Sequence, residues 1–389
     1  MVLGNVRLAD SGQIVNISIE RDQIDSVSPT TINANDKLLL HFEDSIVFPG
    51  LINSHDHLDF NLFPQLGNRV YSNYTEWGGY IHKEFKQEIA DVLRVPQHLR
   101  ILWGVYKNLL CGVTTVVNHG ERLATDNALI NIFEDTHDLH SIAFEKLWKL
   151  KLNNPLKRAL PVVIHTGEGT DKQASREIDS LIGWNKLGRN LIGIHAVAMT
   201  AEQAPHFKAI VWCPQSNDYL LDKSAPINQL KSFTKILFGT DSTLTSGWNI
   251  WDHINMARGT GMLNDDELYQ SLNKTAANVW EINGGEIAKG KSADLVMAKA
   301  KGSISNYDAF YATQPADIQL VMHSGKIRLF DQHMLPALAP QLKGQQFSLI
   351  QLGDSFKYVA GNIGQLITSI QTYLPQVVFP FTFIHQQIF

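Results

Sequence analysis

Hydrophobic positions along the chain fall into two regimes. Residues 1–45 alternate apolar and polar, as in Asn16-Ile17-Ser18-Ile19-Glu20, with Asp10-Ser11-Gly12 as a turn signal. From Ser45 to about Thr245 the pattern becomes short apolar run, loop, helix, repeated. The predicted strands are Ile46–Asn53, Thr114–Asn118, His140–Phe144, Val162–Ile164, Leu191–Ile194, Ile210–Trp212 and Ile236–Phe238. Helical spacing lies between several of them, as over Pro96–Leu110 and Ser175–Leu181. An eighth strand is expected between Phe144 and Val162, where Leu147–Leu152 is the candidate. Alternation of this kind predicts parallel strands joined by crossover helices.

Four of these runs end in a residue that can hold a metal. The first closes on His55-Asp56-His57, and side chains two apart on a strand share one side. The others end at His165, His195 and Asp241. Reactive groups at the C-terminal ends of several parallel strands are the layout of a (β/α)8 barrel; a doubly wound sheet would gather them at one switch point. The fold class is therefore α/β, a TIM-like barrel over 46–284. A small β-sandwich is built from both chain ends, 1–45 and 285–335, the latter through Gly290–Met297 and a hairpin at Ile318–Leu329. The tail, 336–389, carries an amphipathic helix near Phe356–Tyr373 and an aromatic end. It reads as a segment docked on the body, with a homodimer contact or lid as the alternative.

Composition narrows the function classes. The net charge of −5 gives no sign of a nucleic-acid or anionic-membrane surface, and no apolar stretch is long enough to span a bilayer. Cys111 and Cys213 sit in apolar contexts and read as buried thiols, which with an N-terminus unlike a signal peptide suggests a cytoplasmic protein. The partner is then a small-molecule substrate.

Neutral imidazoles and a carboxylate are donors for zinc first, with iron(II) or manganese also fitting. His195 reads as a ligand or as a hydrogen-bonding partner of a bound water. Glu168, three residues after His165, is placed to move protons at the mouth, or else caps the helix that follows. Asp241 follows Gly239-Thr240 and faces inward as ligand and base. His119 closes the second strand and suits substrate contact. Trp77, His82 and Glu84 lie in an aromatic-rich loop after the first strand that could line a pocket.

The text Pro49–His57, Gly112-Val113-Thr114-Thr115-Val116-Val117, His165-Thr166-Gly167-Glu168, His195-Ala196-Val197-Ala198-Met199-Thr200, Trp212–Asn217, Gly239-Thr240-Asp241-Ser242 and Gly290–Val296 resembles the amidohydrolase superfamily. Within it, the match is to the mononuclear deaminase and chlorohydrolase branch. The resemblance implies one divalent metal held by His55, His57, His165 and Asp241, with Glu168 and His195 handling protons. Members with two metals carry a carboxylated lysine on the fourth strand. Lys146, Lys149 and Lys151 fall in that region here, but His-x-x-Glu on the fifth strand favours one metal. The Trp77–Glu84 segment only loosely resembles the family's substrate loop. The reaction implied is hydrolytic deamination of an aminated heterocycle. The alternative on the same metal site is an amidase, a cyclic amidase or a chlorohydrolase.

Overall fold

The computed structural model describes residues 1–30, 37–120, 129–301 and 306–389. Five strands open the chain: β1 (Val2–Leu8), β2 (Ile14–Glu20), β3 (Gln23–Ser28), β4 (Leu39–His41) and β5 (Ser45–Pro49). Eight more follow: β6 (Leu51–Asp56), β7 (Val113–Asn118), β8 (Asn131–Phe133), β9 (His137–Ser141), β10 (Val162–Thr166), β11 (Leu191–His195), β12 (Ala209–Trp212) and β13 (Lys235–Phe238). These eight pair in parallel as β6-β7-β8 and β9-β10-β11-β12-β13. The amides of Thr240 and Asp241, just past β13, both donate to the His55 carbonyl at 3.1 Å, bringing the eighth strand's end against the first. Ile52, Val117, Val163, Ile192, Val211 and Leu237 form one buried cluster, with Trp280 against it.

The last strands are β14 (Leu295–Lys299), β15 (Ile318–His323), β16 (Lys326–Asp331), β17 (Gln346–Leu352), β18 (Ser355–Ala360) and β19 (Thr382–Ile388). They join the first five in one 11-stranded sheet, ordered β19-β17-β18-β16-β15-β14-β5-β1-β2-β3, with β4 on β1. The apolar run at residues 45–53 is thus two strands broken at Pro49-Gly50, one serving each sheet.

Three local expectations need correction. The third barrel strand is Asn131–Phe133, too short to read as a strand, and the fourth is His137–Ser141, not His140–Phe144. In that strand His137, Leu139 and Ser141 are buried, so its buried period is carried partly by polar residues. Leu147–Leu152 is not a strand: Trp148–Leu152 is helical, and Leu147 and Leu150 are both 70% exposed. The tail helix covers Ile363–Tyr373 only. Phe356 belongs to β18, and Gly361, at φ 90°, turns the chain before Asn362 caps the helix by accepting from the Gln365 amide. Phe379 in the tail packs edge-on against Trp103 of the helix Gln97–Leu110, with ring centroids 4.8 Å apart. Both cysteines are buried and free. Among the described residues no helix is long and apolar enough to cross a membrane.

Candidate active site

His55 and His57 leave the end of β6 on one side, as the period of two dictates. Asp56 between them turns toward the helix Gln97–Leu110. There the buried Lys107 pairs with it at 3.0 Å, and Asn108 and Asn61 each donate to it at 2.8 Å. His165 comes from β10, His195 from the end of β11, and Asp241 from the turn after β13. All five side chains are buried.

The donor atoms converge. Nε2 of His165 lies 3.3 Å from Nε2 of His55 and 3.3 Å from Nε2 of His57. Oδ1 of Asp241 stands 3.7 Å from His55 Nε2 and 3.8 Å from His57 Nε2. Two nitrogens bound to one tetrahedral ion at about 2.0–2.1 Å would be about 3.3 Å apart. His165 Nδ1 is 2.8 Å from the His140 carbonyl, which only an Nδ1–H can satisfy, so its Nε2 carries a lone pair. Burial, followed by repulsion from neighbouring histidines, pushes His165 well below the usual histidine range and His57 down to about 3. Three imidazole nitrogens and a carboxylate oxygen in this spacing fit a divalent cation.

Asp241 is prepared as an anion. Burial works against its charge, but the close imidazole of His55, then those of His57 and His195, outweigh it and hold the carboxyl well below its usual range. Ser216 Oγ and Thr245 Oγ1 donate to Oδ2 at 2.8 and 3.1 Å, and the Ser242 amide donates to Oδ1 at 2.8 Å. Glu168 is its opposite. Burial first, then the Asp241 and Glu177 charges, raise it well above the ordinary carboxyl range, which favours a protonated acid. Its Oε1 lies 3.6 Å from His195 Nε2, which is itself 3.9 Å from Asp241 Oδ2. His195 Nδ1 donates to Asn217 Oδ1 at 2.8 Å, and burial pushes the ring's pKa down to about 4. Two carboxyls with opposite protonation, bridged by one neutral imidazole, can take a proton at one end and deliver it at the other.

The backbone here is strained. His195 (φ 72°), Ala196 (φ 53°) and Asp241 (φ 58°) are left-handed without being glycine, at a cost of order 1–3 kcal/mol each. Gly167 (φ 63°) makes the turn from His165 to Glu168, and a Cβ there would meet Ile178 at 2.7 Å. Glu168 does not cap the following helix, Lys172–Trp184; Asp171 does, accepting from the Ala174 amide at 2.9 Å.

Beside the cluster is a cavity of about 430 Å³, lined among others by His57, Phe60, His119, Asp138 and His140. His119 is buried with its ring 4.6 Å from that of His165, and burial raises Asp138 to about 6. The aromatic segment after β6 contributes differently from expectation. Trp77 lies on the helix Tyr74–Glu84 and donates to the Leu66 carbonyl at 2.7 Å, packing on its own loop. Glu84 ends that helix in the open and pairs with Lys83 at 3.2 Å, away from the cluster. His82 likewise bonds its own helix, to the Gly78 carbonyl. No lysine lies on β9: Lys149 sits over the Trp184 ring at 4.2 Å, and Lys151 pairs with Glu145. Sequence reading missed Asn217, Ser216, Thr245 and Lys107. The first two lie in the Trp212–Asn217 text that carried the resemblance, but nothing marks Thr245 or Lys107 before the fold is known.

The amidohydrolase family model matches residues 151–328. A 5-methylthioadenosine/S-adenosylhomocysteine deaminase of Caldicellulosiruptor saccharolyticus is 24% identical over 82% of this chain and 90% of its own length. A 5′-deoxyadenosine deaminase of Methanococcus aeolicus is 22% identical over 74% and 82%. The fold superposes on an adenosine deaminase from Xanthomonas campestris with bound zinc, with a TM-score of 0.68, 15% identity and coverage of 96% and 98%. It superposes equally, with 15% identity and coverage of 96% and 100%, on a zinc complex of an atrazine chlorohydrolase from Arthrobacter aurescens. The match across β10–β13 and the His/Asp cluster together mark a site for a divalent metal ion. With that barrel, that cluster and that match, the chain is similar to the amidohydrolases over residues 151–328 and shares their fold.

Proposed function

We propose that this protein catalyses the metal-dependent hydrolytic deamination of an aminated heterocycle. His55, His57, His165 and Asp241 are the ligands, and zinc is the ion their three nitrogens and one oxygen suit first. The bound ion supplies a Lewis acid that brings the pKa of a water to about 7. Asp241 Oδ2, held as an anion, accepts a proton from the attacking water. Glu168 gives its proton to the ring nitrogen next to the reacting carbon, so that carbon takes the water oxygen without building negative charge on the ring. His195, between the two carboxyls, hydrogen-bonds the incoming oxygen and passes the proton toward the departing nitrogen. The C–N bond breaks and ammonia carries off the amino nitrogen, while the new hydroxyl returns its proton to Glu168 and the ring carbon becomes a carbonyl.

The observation that carries this reading is the placement of two buried carboxyls, Glu168 and Asp241, at 3.6 and 3.9 Å on either side of His195 Nε2, beside the cluster. Curated relatives acting on adenosine-type compounds support the substrate class. The test strips the protein with a chelator, reloads it with zinc, and follows ammonia release from aminopurines, aminopyrimidines and aminotriazines. Turnover should vanish and return with the ion. Turnover unchanged by stripping would contradict the proposal.

A further inference from the structure

The cavity beside the cluster holds two buried polar atoms that form no hydrogen bond. They are Nδ1 of His119, a residue only 3% exposed, and Oδ1 of Asp138. The two stand 3.8 Å apart, too far to bond each other, and both residues line the cavity with His57. Unpaired buried polar atoms are costly and uncommon, and a ligand group is a ready reason for a pair of them in one cavity. A carboxylate oxygen only accepts, whereas an imidazole nitrogen donates or accepts according to tautomer. With its proton on Nδ1, His119 donates while Asp138 accepts, and the pair then fits one uncharged group with a donor next to an acceptor. A sugar hydroxyl has that chemistry, and so does a heterocycle edge with an N–H beside a bare ring nitrogen.

Charge sharpens the choice. Asp59, Asp138 and Glu145 line the cavity, with no lysine or arginine among its described lining residues. The nearby cations are engaged, Arg100 with Asp59 and Lys151 with Glu145. A phosphate would meet three carboxyl groups there and no lysine or arginine among the described lining residues.

We infer that His119 and Asp138 determine specificity, gripping one uncharged donor–acceptor group of the substrate and turning away phosphorylated analogues. This rests on the deaminase reading above. The zinc-loaded enzyme is tested on two substrate arms: adenosine against its 2′- and 3′-deoxy forms, and adenine against 9-methyladenine. Adenosine 5′-monophosphate is the charged probe. In one arm, removing the donor should lower kcat/KM about 10–100-fold, and that arm tells whether the group is a sugar hydroxyl or a ring N–H. The monophosphate should be at least about tenfold poorer than adenosine. Asp138→Ala, or His119→Phe, which keeps a ring without its nitrogens, should shrink the discrimination to within about threefold while metal content stays at the wild-type level. Asp138→Asn, which keeps an acceptor, should retain most of it. Equal handling of every pair by wild type, wild-type discrimination in His119→Phe, or metal loss in both Asp138 variants overturns the inference alone. No ammonia from any amino-heterocycle overturns the deaminase reading and this inference with it.

Discussion

Nε2 of His165 lies 3.3 Å from Nε2 of His55, and His165 spends its only N–H on the His140 carbonyl. The lone pair left on His165 Nε2 points into the gap it shares with Nε2 of His55 and of His57, where a cation would satisfy all three. Purified protein should therefore hold close to one divalent ion per chain, and His55→Ala or His57→Ala should release it. Elemental analysis beside a thermal melt checks both. Wild-type metal content in either variant would remove these residues from the ligand set.

Glu168→Gln should keep the fold and the metal yet lose about 10²–10⁴-fold in kcat, since an amide has no proton to deliver. The pH profile gives an independent readout. Glu168 works only when protonated, and burial has raised its pKa, so wild-type activity should fall as pH climbs through that raised value. On the acid side activity should fall as the ligand imidazoles gain protons and let go of the ion. The two limbs belong to the coupled site, but the alkaline one should be missing from whatever residual rate the glutamine variant shows. An unchanged alkaline limb would assign it elsewhere.

Asn217 fixes which nitrogen of His195 carries the proton. Asn217→Leu should cut kcat about 10–100-fold with little change in KM or metal content, because outer-shell partners of site histidines carry effects of that size. Comparable losses in KM would point instead to direct substrate contact.

Lys107 is buried and pairs with Asp56, the residue between two proposed ligands. Lys107→Met leaves that carboxylate buried without its cation, so stability in a denaturant titration should drop by about 3–5 kcal/mol. Adding Asp56→Asn to Lys107→Met should recover part of the loss, because the uncompensated charge is then gone. No recovery would mean that Lys107 matters for packing alone.

The His/Asp cluster of the proposed site was the most legible part of the sequence. Strand ends at His55, His165, His195 and Asp241 follow apolar runs whose period survives without tertiary help. The short third strand, Asn131–Phe133, and the polar fourth, His137–Ser141, carry no such run, and the exposed leucines of Leu147–Leu152 imitated one. Glu84 misled for a related reason. The aromatic-rich segment around it suggested a pocket, but a continuous helix carries it to the open end next to Lys83. Asn217 and Lys107 act through contacts 22 and 51 residues distant in sequence, which no local pattern encodes.

The most direct test of the central claim is the identity of the products. Zinc-loaded enzyme is run in ¹⁸O-labelled water on the best substrate of an amino-heterocycle panel, and the products are identified by mass spectrometry. The account predicts ammonia and a ring carbonyl carrying one solvent oxygen, in equal amounts, with both formed about 10²–10⁴-fold more slowly by Glu168→Gln. Release of chloride or of a larger amine fragment, or ammonia formed without solvent oxygen in the ring, would contradict it.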